Sequence, residues 1–296
     1  MNLTETYESV VPSIVAIISR ISDSVKDISG NRPLIPNILG TGFLVSENGI
    51  VATNRHVVEA LQSIPPHPKT GANGYGAIMF DTGVENGKPY MNWIMPEIAS
   101  AGMVDSFSSD SRWYGEAKPD IAFIQVSVRG TPHLRLASRD FYIRPGTGIA
   151  TAGFPMGEIP LTMMQKVNQV TPFIRRGVVS SVFPFSIPRP HGFTIDIMQQ
   201  GGSSGSPIFY DDEPTVVGMM KAVMKQWWPI QLGPKTLLAQ IPTNISIAVP
   251  AHIIGFALQS FVHSPYAVDP SGFPMLDEWK MNHPLSGDLG WSSIEP

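Results

Sequence analysis

Glycine and proline cut this chain into short apolar runs, and that punctuation limits what it can fold into. The 27 glycines and 28 prolines leave few stretches long enough for helices and favour many strands and turns. Residues 10–19 (VVPSIVAIIS) are apolar and β-branched with a proline near their start, and read as a first buried strand. Residues 43–46 and 50–53 are strand-like, and Glu47-Asn48-Gly49 between them is a hairpin signal. His56 follows directly, on an expected turn of helix running to Gln62. Further strands are expected at 75–80, 91–95, 121–126, 148–152, 167–174, 177–182, 193–197, 206–210, 216–222 and 245–249. Residues 251–261 carry the one clear helix signature, apolar at Ile253, Ile254, Ala257, Leu258 and Phe261.

Roughly a dozen short strands and a C-terminal helix predict an all-β double barrel, with the connection between halves in residues 127–144. At 296 residues, 43% hydrophobic and 15% charged, the chain suits one large two-lobed domain or two small ones. A net charge of −4 without a basic run gives no electrostatic footprint for nucleic acid. The absence of cysteine excludes disulfides, a cysteine nucleophile and thiolate metal sites. The start, MNLTETYESV, lacks the basic and apolar regions of a secretory signal. No run approaches the roughly 20 apolar residues of a membrane span. A cytoplasmic protein without membrane association is the expectation. Residues 263–296, rich in proline and glycine with Trp279 and Trp291 as isolated anchors, read as an extended tail.

The chemistry centres on residues 201–207, GGSSGSP. A catalytic serine needs a sharply bent backbone whose N–H groups face the oxygen where negative charge develops, and glycine permits that approach because it has no Cβ. A glycine-serine surface loop fits this heptapeptide equally well. Upstream, His56 follows a strand and Asp120 stands at the mouth of another. A serine hydroxyl needs an imidazole to take its proton, and the imidazole needs a carboxylate to orient it. Asp105 and Asp110 are nearby alternatives to Asp120. The remaining histidines show no ligand spacing and no metal or cofactor is expected; Asp196 reads as a structural turn residue.

The order His, Asp, Ser, with TNRHVV at 53–58 and GSSGSP at 202–207, resembles the trypsin-like serine proteases of chymotrypsin fold. The closer likeness is to the HtrA/Deg group, in the GTGF hairpin before the histidine, the Asp-Ile-Ala strand start and Asp196 eight residues before Ser204. The likeness covers about residues 7–262. It implies two six-stranded antiparallel barrels, about 7–130 and 145–262, and the C-terminal helix. It makes His56 the general base, Asp120 its orienter, Ser204 the nucleophile, and the Gly202 and Ser204 N–H groups the oxyanion hole. Met198 and Lys221 fall at the specificity pocket; an uncharged methionine there implies small or apolar residues before the cleaved bond. Ser203 stands where relatives carry Asn or Asp, so activation by a pairing new N-terminus is not expected. Ser206 replaces a usual glycine, which implies a tighter turn and low basal activity. The 34 residues after 262 are fewer than a typical domain, so no PDZ domain is expected there. Substrate recruitment would then rest on the tail, the 64–119 loops or an activating protein partner.

Two other readings stay open. Residues 201–205 also spell G-x-S-x-G, an α/β-hydrolase elbow that would make Ser203 the nucleophile of an esterase, although such an elbow leads into a helix. A protease-shaped binding module without turnover is the other.

Overall fold

The computed structural model of the chain describes residues 1–19, 37–66, 73–85, 87–103, 119–138, 140, 142–155, 157, 171–232 and 235–283. Two antiparallel sheets account for most of them. The first holds β1 (Ile14–Ser19), β2 (Asn37–Ser46), β3 (Ile50–Thr53), β4 (Tyr75–Glu85), β5 (Lys88–Ile94), β6 (Ile98–Met103) and β7 (Ala122–Val126), in the order β5-β4-β1-β2-β3-β7-β6. The second is a closed barrel of β8 (Gly148–Gly153), β9 (Phe173–Phe183), β10 (Gly192–Ile195), β11 (Pro207–Tyr210), β12 (Glu213–Leu232) and β13 (Lys235–Pro250), in the order β10-β13-β12-β11-β8-β9. Four α-helices lie among the described residues: α1 (Leu3–Val10), α2 (Arg55–Gln62), α3 (Ala251–Val262) and α4 (Leu276–Asn282).

The two-halved all-β architecture is as expected, with seven strands rather than six in the first sheet. The extra strand is β6, IASAGM, whose small residues give little local strand signal; it forms against the edge of β7, with Ala101 opposite Ile124. The first strand also starts later than its apolar run suggests. Asn2 and Glu5 make a reciprocal capping box, so residues 3–10 form α1, and a single 3-10 turn at Val11–Ser13 absorbs Pro12 before β1 begins. The hairpin signal holds: Gly49 has φ +71°, and a Cβ there would meet the Val128 carbonyl at 2.5 Å. The expected strand at 167–174 lies partly outside the described residues; Phe173 opens β9.

Phe43 on β2, Ala52 on β3 and Phe123 on β7 stand side by side in register. They join Phe154, Phe209 and Met219 of the barrel in one buried cluster, so the two sheets share a core. Each fully buried side chain of this size stabilises the fold by about 1.5–3 kcal/mol. Helix α3 leaves the barrel and returns to the first sheet, where Phe261 packs on Phe123 with ring centroids 5.2 Å apart.

Beyond α3 the described residues, to 283, are not merely extended; Trp291 lies outside them. Gln125 of β7 exchanges side-chain hydrogen bonds with the Val268 backbone, and Arg129 and Leu276 pair through their backbones at 2.7 Å. Leu276 is buried in the first sheet's own cluster, and Trp279 packs against it and stacks on His283. In the other direction, β12 and β13 outrun the barrel as a two-stranded ribbon, with Trp227 opposite Gln240 and Ile230 opposite Leu237. The neighbouring Trp227 and Trp228 are exposed here rather than packed, while Met219 and Met220 are buried. No helix among the described residues is long and apolar enough to cross a membrane.

His252 opens α3 half-buried, and its buried Nδ1 has no hydrogen-bond partner among the described residues. Burial, helped by the charges of Arg189 and His191, lowers its imidazole from 6.5 to about 4. The folded protein therefore takes up this proton less readily than the unfolded chain. The stability involved is complete above pH 6.5 and is lost as pH falls toward 4, up to about 3 kcal/mol. Urea melts at pH 7.5 and pH 4.5 are expected to show a smaller acid loss in His252→Leu than in wild type; equal losses would assign the acid sensitivity elsewhere.

Candidate active site

Register brings the first two groups together. β3 pairs with β7 so that Thr53 faces Ala122. His56 lies three residues beyond that pair and Asp120 two before it. Helix α2 starts at once after Asn54, whose Nδ2 donates to the Asp120 carbonyl at 3.0 Å. Val57, Val58 and Leu61 bury the inner face of α2, which turns His56 outward. The His56 backbone N–H donates to Asp120 Oδ1 at 3.2 Å, and the ring Nδ1 lies 3.1 Å from Oδ1 and 2.9 Å from Oδ2. With Nδ1–H donated to a carboxylate, Nε2 is left as the acceptor nitrogen. The His56 side chain is 47% exposed and that of Asp120 14%. Burial works to raise the Asp120 carboxyl. The His56 hydrogen bonds and charge, with a further contribution from Lys221, outweigh it and hold the carboxyl below its ordinary value.

Thr41, fully buried on β2, connects the serine turn to the first sheet. Its N–H donates to the Ser204 carbonyl at 2.8 Å and its hydroxyl to the Gly202 carbonyl at 2.7 Å. The same hydroxyl accepts from the Phe154 N–H, and the Thr41 carbonyl accepts from the Thr53 hydroxyl. Within the turn, Ser203 N–H bonds to the Gln200 carbonyl and Ser206 N–H to that of Ser203; Gly205 N–H reaches the Met220 carbonyl on β12. The Gly202 and Ser204 N–H groups have no hydrogen-bond partner among the described residues, which leaves two donors of the turn open. Gly202 has φ +86°, and a Cβ there would fall 2.2 Å from the Phe154 carbonyl. Ser206 is accommodated opposite Gly153, where a Cβ would lie 2.0 Å from its hydroxyl; that hydroxyl is buried without a partner.

The two serines are distinct in setting. Ser203 is 4% exposed, whereas Ser204 is half-buried and its hydroxyl accepts from Gln199 Nε2 at 2.8 Å. No hydrogen bond joins Ser204 to His56 among the described residues. The chain leaves the turn as a strand, β11, which lacks the helix that a hydrolase elbow on Ser203 requires. Met198 is half-buried, and its carbonyl accepts from the Arg175 guanidinium. The Lys221 carbonyl accepts from Gln199 Nε2 at 3.2 Å, and its charge acts on Asp120. Asp196 Oδ1 accepts from the Val178 N–H at 2.6 Å, tying the approach to the turn onto β9. Asp105 and Asp110 lie outside the described residues. Arg175 and Gln199 carry no motif that singles them out in the sequence, and Thr41 lies in the GTGF hairpin without a role read from it; their places follow from the meeting of the two sheets.

Residues 40–219, more than half of the chain, match the family model of the trypsin-like peptidase domain. Among solved structures, the fold is similar to the serine endoprotease from Yersinia pestis, at 13% identity and TM-score 0.51, covering 90% of this chain and 68% of that one. It is similar to the HtrA-type protease AlgW with tripeptide at 14% identity and TM-score 0.51, covering 89% and 64%. The AlgWS227A form with tripeptide gives 13% and 0.52, covering 90% and 65%. The chain thus spans about two thirds of the length of these relatives.

Two substitutions test the turn. Thr41→Val keeps the shape but leaves the Gly202 carbonyl and the Phe154 N–H unpaired, and is expected to cost about 1–3 kcal/mol in urea denaturation. Gly202→Ala is expected to cost about 2 kcal/mol or more from strain and collision. Its neighbour Gly201, with no atom within 4 Å of an added Cβ, is expected to tolerate alanine within about 0.5 kcal/mol. Equal losses at the two glycines would contradict this geometry.

Proposed function

Because the chain belongs to the trypsin-like peptidase family, we propose that it is a serine endopeptidase that cleaves polypeptides through His56, Asp120 and Ser204. The observation that carries the reading is the His56–Asp120 arrangement, in which ring and backbone both bind one carboxylate beside a turn with two unpaired N–H donors. Ser204 Oγ attacks the substrate carbonyl carbon as His56 Nε2 takes its proton, and the ionised Asp120 stabilises the imidazolium. The tetrahedral oxyanion is held by the Gly202 and Ser204 N–H groups. Collapse breaks the C–N bond, and the leaving amine takes the proton from His56. Water, deprotonated by the same nitrogen, then hydrolyses the Ser204 ester. Met198 offers an uncharged surface near the nucleophile and supports a preference for small or apolar residues before the cleaved bond.

Residues 1–262 form the protease domain in this reading, with halves at about 7–130 and 145–262, and 263–296 as an appended segment whose described part, to residue 283, braces the first half. A second reading, a latent protease that needs a partner, is favoured by one observation: the Ser204 hydroxyl is bonded to Gln199 rather than to His56.

Labelling with a fluorescent fluorophosphonate tests the assignment. Ser204→Ala is expected to abolish labelling, Ser203→Ala to retain it, and Asp120→Asn to slow it by about 10³–10⁴-fold. Loss in Ser203→Ala alone would transfer the nucleophile to that residue. A wild type that reacts only after a partner is added would establish latency.

A further inference from the structure

We propose that Gln199 is a positioning residue whose side-chain amide holds the Ser204 hydroxyl away from His56, and that the substrate residue before the cleaved bond displaces it. This rests on the reading of Ser204 as nucleophile. The orientation of the amide is set by its surroundings. The atom 2.8 Å from Ser204 Oγ also lies 3.2 Å from the Lys221 carbonyl. A carbonyl oxygen accepts but never donates, so the atom facing it is the amide nitrogen. Ser204 Oγ is therefore the acceptor of an N–H bond. One of its lone pairs is turned to Gln199.

The contact is built into the fold at one end and unsatisfied at the other. Gln199 is 8% exposed. Its backbone N–H donates to Ser246 Oγ at 2.8 Å, and Ser246 Oγ donates in turn to the Ile197 carbonyl at 2.6 Å. On either side, the Arg175 guanidinium binds the Met198 carbonyl and, at 2.7 Å, Gln200 Oε1. With the backbone held at Met198 and Gln199, the contact changes by rotation of the Gln199 side chain or of the Ser204 hydroxymethyl group. Its Oε1, by contrast, is buried with no hydrogen-bond partner, a state that costs free energy in the resting conformer. Rotation of the amide out of this place releases that cost together with the Ser204 hydroxyl. His56 and Asp120 are already joined at 2.9 Å, so the link from serine to histidine is the one that remains to form.

Gln199→Met, of similar length but without a donor, separates the hydrogen bond from the bulk; Gln199→Ala removes both. Second-order rates of fluorophosphonate labelling are measured for each, with thermal melting to establish folding. Both variants are expected to label about tenfold faster than wild type, the scale of one hydrogen bond. Cleavage of peptides gives a readout that a merely structural role would not move. The gain in kcat/KM for Gln199→Met is expected to be largest with glycine before the cleaved bond, which cannot displace the amide, and smallest with leucine, which can. Folded variants that label no faster than wild type, or gains equal for glycine and leucine, overturn the proposal. Labelling that persists in Ser204→Ala instead removes the nucleophile assignment and the proposal with it. Should Gln199→Met not fold, the alanine variant gives the same labelling and peptide comparisons.

Discussion

Buried Thr41 joins the two halves of the molecule at the place where chemistry would occur. Through its backbone and hydroxyl it binds Gly202, Ser204 and Phe154 in the barrel side of the site, and it accepts from Thr53 at the end of β3. All of its polar groups engaged in these contacts are removed from water, so each bond lost would leave a buried group unpaired. The close approach also dictates side chains around it. A Cβ on Gly205 would fall 2.0 Å from the Thr41 carbonyl, and one on Gly40 would enter the Val57 side chain at 2.6 Å. The small residues of the hairpin and of the serine turn are thus two sides of one contact.

That contact makes the site an interface property. His56 and Asp120 are placed by the β3–β7 register and the buried face of α2, all within the first sheet. Ser204 arrives from the second. Their relative position is held by the shared core of Phe43, Phe123, Phe154 and Phe209, and by α3, which leaves the barrel to pack on β7. The segment after α3 extends this bracing, because its backbone pairs with Arg129 just past β7. Stability here serves to keep two half-sites in alignment.

Among the described residues, buried polar atoms without a hydrogen-bond partner include two at the serine turn, Gln199 Oε1 and Ser206 Oγ, and Asn54 Oδ1 two residues before His56. Such groups are uncommon in folded proteins and concentrate where function competes with stability. Gln199 and Ser206 lie on either side of the nucleophile position, so the resting turn is held in a conformation that packing alone would not favour. In the proposed reading, such a site has its base and acid assembled and its serine engaged elsewhere.

Much of this was legible in residue order. Asn48-Gly49 specified the hairpin because only a residue tolerant of positive φ fits there, and the apolar spacing of 251–261 specified α3. The three motifs around His56, Asp120 and Ser204 named the candidate site because that chemistry demands particular residue types in local settings. Helix α1 was missed although its Asn2–Glu5 cap is visible, since an eight-residue helix draws most of its stability from packing. Strand β6 and the ordered segment after α3 exist only because an edge of β7 and the Arg129 backbone were available to pair with them. The sequence by itself determined the strand-rich class, the hairpin and the residue types at the site. Tertiary structure alone decided that Thr41 joins the halves and that Gln199 meets Ser204, because those contacts depend on clamps and sheet edges far apart in the chain, which no local pattern encodes.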